Sequence, residues 1–339
     1  MPLSIESQLQ FTPDLRICRI LNGLWQVSGA HGRIESKTAI REMFDYVDAG
    51  FTTWDLADHY GPAEDFIGEF RRQFVAARGE EAWANVQAFT KWVPRPGRMT
   101  RQIVENAIGI SLRRMDVETL DLLQFHWWEY DDPRYLDALL YLAELRDEGK
   151  IRHLALTNFD TEHLRVITER GIRIVSNQVQ FSLIDRRPEI AMIPFCHEHN
   201  IQLLTYGTVC GGLLAEKYVG QPEPTSRTLN TVSLEKYKMM VDAWGGWKLF
   251  QELLAVLQLI AHKQKVSIAN VAVRYILDHP AVAGVIVGTR LGIAEHRVDN
   301  ARVFQCTLEA EDLSRIQAVL DKSQDLYQRI GDCGDEYRR

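Results

Sequence analysis

The stretch Leu120-Asp121-Leu122-Leu123-Gln124-Phe125-His126 is a short apolar, β-like run that ends in a side chain able to do chemistry. Six further runs share that grammar. Thr52–Trp54 leads into Asp55 and then Tyr60, and Val86–Phe89 leads into Lys91. His153–Leu156 ends at Thr157 and Asn158, and Ile174–Val175 leads to Asn177 and Gln178. Ile201–Leu204 ends at Tyr206, and Val282–Val287 ends at Gly288, Thr289 and Arg290. Helical patterns fill most of the gaps. Strand–helix alternation repeated about eight times predicts an α/β fold, a (β/α)8 TIM barrel. Such a barrel gathers its strand C-termini onto one face, where active sites lie. Residues far apart in sequence can then line one pocket.

The barrel is expected to span residues 1–339 as one domain, because no Pro/Gly/Ser-rich linker divides the chain. Residues 1–20 read as an N-terminal hairpin, Ser4–Phe11 and Leu15–Ile20, turned at Thr12-Pro13-Asp14. Lys37–Ala49 and Ala63–Ala77 read as helices. Thr100 should cap a helix running to Met115, with Ile103, Ala107, Ile110 and Met115 on its apolar side. Pro133–Glu148, Thr161–Arg170, Pro188–His199, Leu249–Gln264, Ser267–Asp278 and Glu309–Asp321 are further helices. Residues 207–247 form a long loop after the seventh barrel strand; loops of this length are usually functional or disordered. Residues 323–339 read as a polar tail in which Cys333 is a mobile thiol without a role.

Composition excludes some classes. The 339 residues carry 39 Lys and Arg against 46 Asp and Glu, a net charge of −7, which disfavours a nucleic-acid partner. No apolar run approaches the ~18 residues of a membrane span. The first residues lack the basic and apolar regions of a secretory signal. Five cysteines without CxxC spacing fit reduced thiols, and a cytoplasmic location is expected.

Strand alternation sharpens the chemistry. If Asp55 faces the barrel interior, Trp54 packs outward. The same parity puts Phe89 with Lys91, and Leu122 and Gln124 with His126. Buried charges need partners, and Asp55 can hold Lys91 charged. Lys91 beside a phenol would pull the pKa of Tyr60 below its usual ~10, making it a better general acid. His126 can donate a hydrogen bond to a carbonyl and polarise it. Each residue alone has an ordinary reading: Asp55 a turn residue, Lys91 a solvated charge, His126 a packed core histidine, Tyr60 a brace for Gly61-Pro62. Their combination at strand ends is what points to a site.

These residues carry a resemblance to the aldo-keto reductases. Asp55-Leu56-Ala57-Asp58-His59-Tyr60-Gly61 resembles the family's D-x-A-x-x-Y-G signature, Thr90-Lys91-Trp92 its lysine strand, and Asp121 through His126 its D-x-x-x-x-H strand. Gly149-Lys150-Ile151-Arg152 through Thr157-Asn158-Phe159 resembles G-K-I-R…S-N-F, and Asn177-Gln178-Val179 resembles N-Q-V. The likeness runs from about Asn22 to Phe304. It implies a catalytic Asp55, Tyr60, Lys91 and His126, with hydride from a nicotinamide cofactor and a proton from Tyr60. It implies that Asn158 and Gln178 hold the carboxamide and that Tyr206 stacks on the ring, with Trp25 and Thr157 beside them. Thr157 stands where the family usually has Ser, and Gly207 where Ser often follows the tyrosine.

Val287-Gly288-Thr289-Arg290 and Glu295-His296-Arg297-Val298-Asp299-Asn300 resemble the phosphate loop and E-N helix, with Asp299 for Glu and a longer spacing. Arg290 and Arg297 can pair with a 2′-phosphate, which favours NADP over NAD, and a helix N-terminus near Gly292–Ala294 would assist. Trp25, Trp92, Trp127, Trp128 and Phe159 sit just past strand ends, with Trp92 and Trp127 the preferred walls of a pocket for a small carbonyl substrate. Three alternatives stay open: a non-catalytic NADP-binding regulatory or scaffold protein of the same family, Lys91 as a Schiff-base nucleophile, and His126 as a metal ligand. His126 stands in no HxH or HExxH spacing that would support a metal there. The oligomeric state is not legible.

Overall fold

A hairpin, β1 (Gln8–Thr12) and β2 (Leu15–Cys18), precedes eight parallel strands that close on themselves: β3 (Ile20–Gly23), β4 (Thr53–Asp55), β5 (Gln87–Trp92), β6 (Leu120–Phe125), β7 (Ile151–Thr157), β8 (Ser176–Gln180), β9 (Gln202–Tyr206) and β10 (Val282–Gly288). The ring runs β10-β3-β4-β5-β6-β7-β8-β9. The computed structural model describes residues 3–29 and 34–338. Met1, Pro2 and Arg339, which the expected hairpin and tail include, lie outside the described residues. The helices are α1 (Ser36–Asp48), α2 (Ala63–Arg78), α3 (Glu80–Trp83), α4 (Arg101–Met115), α5 (Tyr135–Asp147), α6 (Thr161–Glu169), α7 (Met192–Glu198), α8 (Val232–Trp244), α9 (Gly246–Gln264), α10 (Ile268–Leu277), α11 (Arg297–Ala301), α12 (Ala310–Leu320) and α13 (Leu326–Ile330).

The barrel holds two apolar layers. Leu21, Phe89, Leu122, Ala155, Leu204 and Ala283 fill its interior, and Phe11, Leu15 and Ile17 of the hairpin pack beneath them. The hairpin sits at the strand starts, where Cys18 N donates to Thr53 Oγ1 and Gln202 Nε2 to the Phe11 carbonyl. Alternate residues face outward under the helices. Trp54 is fully buried there, with the rings of Tyr46 at 5.8 Å and Phe70 at 6.1 Å. This parity leaves Asp55, Lys91 and Gln124 on the inside, above the apolar layer.

Thr100 caps α4 as expected, accepting from Ile103 N. The buried face differs from the expected one. Val104, Ile108, Ser111 and Met115 are buried, whereas Ile103 and Ile110 are exposed. The cause lies on α2. A Cβ at Gly68 would fall 2.0 Å from the Arg114 carbonyl oxygen, so the two backbones touch and fix the rotation of α4.

Two expectations about irregular regions are corrected. Half of the long loop is helical: Thr231 caps α8, accepting from Leu234 N, and Leu234, Tyr237, Val241 and Trp244 form one buried stripe. The tail folds back as α13 and a 3-10 turn, Asp335–Tyr337. Cys333 is buried rather than mobile. The tail is clamped by Arg187, itself 2% exposed. Arg187 grips Asp185 with Nε and Nη2, each at 2.8 Å, and its Nη1 reaches Glu336 at 3.0 Å and the Asp332 carbonyl at 2.9 Å.

Candidate active site

Asp55 is the hub at the strand ends. Both its oxygens accept from Lys91 Nζ at 2.7 Å, and Oδ1 also accepts from Gln124 Nε2 at 3.0 Å and Gln178 Nε2 at 2.7 Å. Strand register delivers these groups: Asp55 lies beside Phe89, Lys91 beside Gln124, and Thr157 beside Gln178. Burial pulls the pKa of Lys91 down, and the charge of Asp55 offsets part of that. Gln124 is a site residue that the family motifs do not name. The signal for it was present, since it shares a face with His126.

Tyr60 stands above this pair on the turn after β4. The rings of Trp25 and His59 meet it edge-on, with centroids 5.0 and 4.8 Å from its own, and Lys91 Nζ is 5.2 Å from the ring centroid. The expected lowering of its pKa does not occur. Burial, and then the negative charge of Asp55, hold the phenol well above its usual value. Lys91 does not reverse this, because its donors are engaged by Asp55 and the Leu56 carbonyl.

His126 also departs from expectation. Its Nδ1 lies 3.0 Å from the Thr157 carbonyl oxygen, which can only accept, so Nδ1 carries the hydrogen. Burial pushes the pKa down to about 4, so the ring is neutral near pH 7 and Nε2 is a bare lone pair. That atom is buried and has no hydrogen-bond partner. It is an acceptor facing the site rather than the expected donor.

The residues expected around a nicotinamide converge, but they are bonded to one another. Tyr206 Oη donates to Asn158 Oδ1 at 2.8 Å, and Thr157 Oγ1 donates to the Gln178 carbonyl at 3.2 Å. Asn158 has φ +58°, a left-handed conformation that asparagine tolerates better than most residues. Gly207 has φ +75°, and a Cβ there would meet the Tyr237 ring at 2.5–2.9 Å. The absence of a serine at this position therefore follows from α8 packing against it.

Of the preferred pocket walls, Trp92 is 6% exposed, and Trp127 lies wholly in the core with its indole N–H donated to the Glu129 and Asp132 carbonyls. Trp127 is therefore no pocket wall. Trp128, 37% exposed, meets His126 edge-on at 4.4 Å and is the aromatic that reaches the mouth. Alternation carried that signal: an inward His126 turns Trp127 out and Trp128 in.

The expected adenosine end is only partly assembled. Gly288 pairs with Gly23 in register and lies against the Gln26 side chain. Thr289 is buried, its N–H donated to the Gly23 carbonyl. Arg297 is drawn to acids, with Glu295 at 3.0 Å and Asp45 of α1 at 3.2 Å. Asp299 accepts from Ser267 Oγ and Asn270 Nδ2 at the start of α10, and Asn300 N donates to the His296 carbonyl. No helix begins at Gly292–Ala294; α11 starts at Arg297.

A parallel barrel with a buried carboxylate–ammonium pair beneath a protonated phenol has the makings of an oxidoreductase that handles carbonyl groups. The chain belongs to the Aldo/keto reductase family, whose sequence model matches residues 19–321. Aldo-keto reductase YhdN of Bacillus subtilis (strain 168) is 27% identical over 320 residues, 90% of each chain. L-glyceraldehyde 3-phosphate reductase of Escherichia coli O157:H7 is 26% identical over 335 residues, 94% of this chain and 93% of its own. The thermostable aldo-keto reductase Tm1743, solved with the inhibitor epalrestat, shares the fold at a TM-score of 0.69 and 22% identity, covering 91% of this chain and 97% of its own. Members of the family act on small carbonyl compounds with nicotinamide cofactors. Among the described residues, no helix is long and apolar enough to cross a membrane.

Proposed function

We propose that the chain reduces an aldehyde or ketone to an alcohol with NADPH, and that Tyr60 is the proton donor. The observation that carries this reading is the convergence of Asp55, Lys91, Tyr60 and His126 from the ends of β4, β5 and β6 onto one mouth.

The residues fit a nicotinamide dinucleotide. His126 Nε2, Gln26 Oε1 and Ser28 Oγ are buried polar atoms without partners at the strand ends, and buried polar groups of this kind call for a ligand or water. Asn158, Gln178, Tyr206 and Trp25 would hold the nicotinamide, with Thr157 supporting Gln178. Gly207, Gly288, Thr289 and Arg290 would lie along the phosphates, and Asn300 near the adenine. Arg290 and Arg297 would be the candidates for a 2′-phosphate, Arg297 only by leaving Glu295 and Asp45. When bound, the cofactor supplies the hydride.

The chain's own part is proton management. A phenol held above its ordinary pKa starts protonated at neutral pH, as a donor must. It gives its proton readily to an alkoxide, a stronger base than phenolate. Lys91, 5.2 Å from the ring, steadies the phenolate left behind. Asp55 keeps Lys91 charged and in place. His126 Nε2, an acceptor, receives a hydroxyl hydrogen, either that of Tyr60 before transfer or that of the alcohol after it.

Tyr60→Phe tests the assignment. Reduction should fall by about 10²–10⁴, the usual worth of a general acid, while cofactor binding and melting temperature hold. Normal turnover by that variant would overturn the role given to Tyr60.

A further inference from the structure

The 3-10 turn Asp335–Tyr337 lies at the mouth of the proposed site. Tyr337 places its ring 6.3 Å from those of both His126 and Trp128, edge-on to each. Its hydroxyl lies 3.1 Å from that of Tyr206 and accepts from Lys236 Nζ of α8. The next residue, Arg338, donates to the Asn158 and Trp127 carbonyls and stacks 3.8 Å over Tyr130. Tyr206 and Asn158, assigned above to the nicotinamide, are thus the residues that the tail engages.

The tail is anchored upstream of its tip. Arg187 grips Glu336 and the Asp332 carbonyl, and Asp332 Oδ2 accepts from Thr161 N at 2.8 Å. Beyond this clamp the tip is held by the Tyr337 phenol against that of Tyr206, by Lys236, and by Arg338 on two carbonyls and over Tyr130. Lys236 lies 4.5 Å from the Tyr337 ring centroid and 5.3 Å from that of Tyr206. Among the described residues, no carboxylate forms an ion pair with it. Its ammonium therefore holds the phenol without a competing fixed partner.

We propose that Tyr337 and Arg338 are a built-in occupant of the nicotinamide subsite, latched by Lys236, and that the dinucleotide must displace them to bind. The proposal rests on the assignment of Tyr206 and Asn158 to the nicotinamide. A protein whose binding-competent state is populated only in part shows an apparent Kd raised by the inverse of that fraction. Unlatching the tip should therefore tighten cofactor binding.

The test measures Kd for NADPH and for NADH by quenching of tryptophan fluorescence, in the full chain and in Tyr337→Ala and Tyr337→Phe. Hydrogen exchange of residues 331–338 is followed in the wild type with and without NADP⁺. For a tip docked nine-tenths of the time, Tyr337→Ala lowers Kd about tenfold. Tyr337→Phe, which keeps the ring and loses the hydroxyl contacts, lowers it less, and NADP⁺ speeds exchange in 331–338. A synthetic peptide of residues 331–338 added to Tyr337→Ala should raise Kd again. A weaker Kd in Tyr337→Ala would mean that the tip is a wall of the cofactor site and would overturn the proposal. So would an unchanged Kd with unchanged exchange. Failure of every form to bind either dinucleotide would instead overturn the functional reading beneath it.

Discussion

The proposed catalytic end of the site and its proposed adenosine end are built by different means. Asp55, Lys91, Gln124 and Gln178 come from β4, β5, β6 and β8 of one closed sheet, and each is set by ladder register before any side chain chooses a rotamer. Residues 289–301 are turns followed by a five-residue helix, and their polar groups settle on whatever lies nearest: Arg297 on Glu295 and Asp45, Asp299 on Ser267 and Asn270. A sheet dictates positions, whereas a turn negotiates them. Disturbance of the first region should therefore be costly, and disturbance of the second mild.

The sharpest break is Asp55→Ala. It strands a buried ammonium and removes the acceptor for two glutamine amides. Removing one partner of a buried pair costs about 3–5 kcal/mol, so urea unfolding should show a loss of that order together with loss of reduction. Burial already depresses the Lys91 pKa, so deprotonation of Lys91 caps the loss. A variant as stable as the parent would mean that the hub is ornamental.

His126 gives the next effect, and it depends on pH. The unfolded imidazole titrates near its ordinary value of 6.5, whereas the folded one is held at about 4. Between these values the unfolded chain binds the extra proton and the native state does not, so stability falls as pH drops from 6.5 toward 4. The full cost is about 3 kcal/mol, absent above 6.5 and complete below 4. His126→Gln should flatten the wild-type curve in that window, and denaturant midpoints at pH 4.5 and 7 will show it. Equal slopes would contradict a neutral, buried His126.

The smallest effect is expected at the other end of the site. Arg297→Ala removes a half-exposed surface pair, worth less than about 1 kcal/mol. It should leave the preference between NADPH and NADH unchanged. A selective loss of NADPH affinity would show that Arg297 leaves its two acids for the cofactor and would erase the contrast between the two ends.

The same contrast explains what could be read in advance. The strands, their order and the inward set of Asp55, Lys91 and His126 follow from alternation and are local signals. Parity also held the distinction between Trp127 and Trp128, and between Gln124 and its neighbours. The rotation of α4 was not legible, because it depends on a backbone contact between Gly68 and Arg114, far apart in sequence. The partner of Arg297 lies on α1, and no local pattern announces it. Nor did the tail signal its burial: Gly331-Asp332-Cys333-Gly334-Asp335-Glu336-Tyr337-Arg338 has no apolar period, and a long-range clamp on Arg187 is what orders it. The direction of the Tyr60 shift failed for a related reason. The sequence pairs Lys91 with Asp55, but burial of the phenol and the negative charge of that same Asp55 outweigh the ammonium.

The central claim is that this mouth passes hydride and proton to a carbonyl, and label transfer tests it most directly. An aldehyde is incubated with the chain and NADPH dideuterated at nicotinamide C4, and the alcohol is examined by mass spectrometry. The account predicts one deuterium on the carbinol carbon in each product molecule, with none formed at a comparable rate by Tyr60→Phe. Alcohol without label, or a borohydride-trapped adduct on Lys91 in place of alcohol, would contradict it.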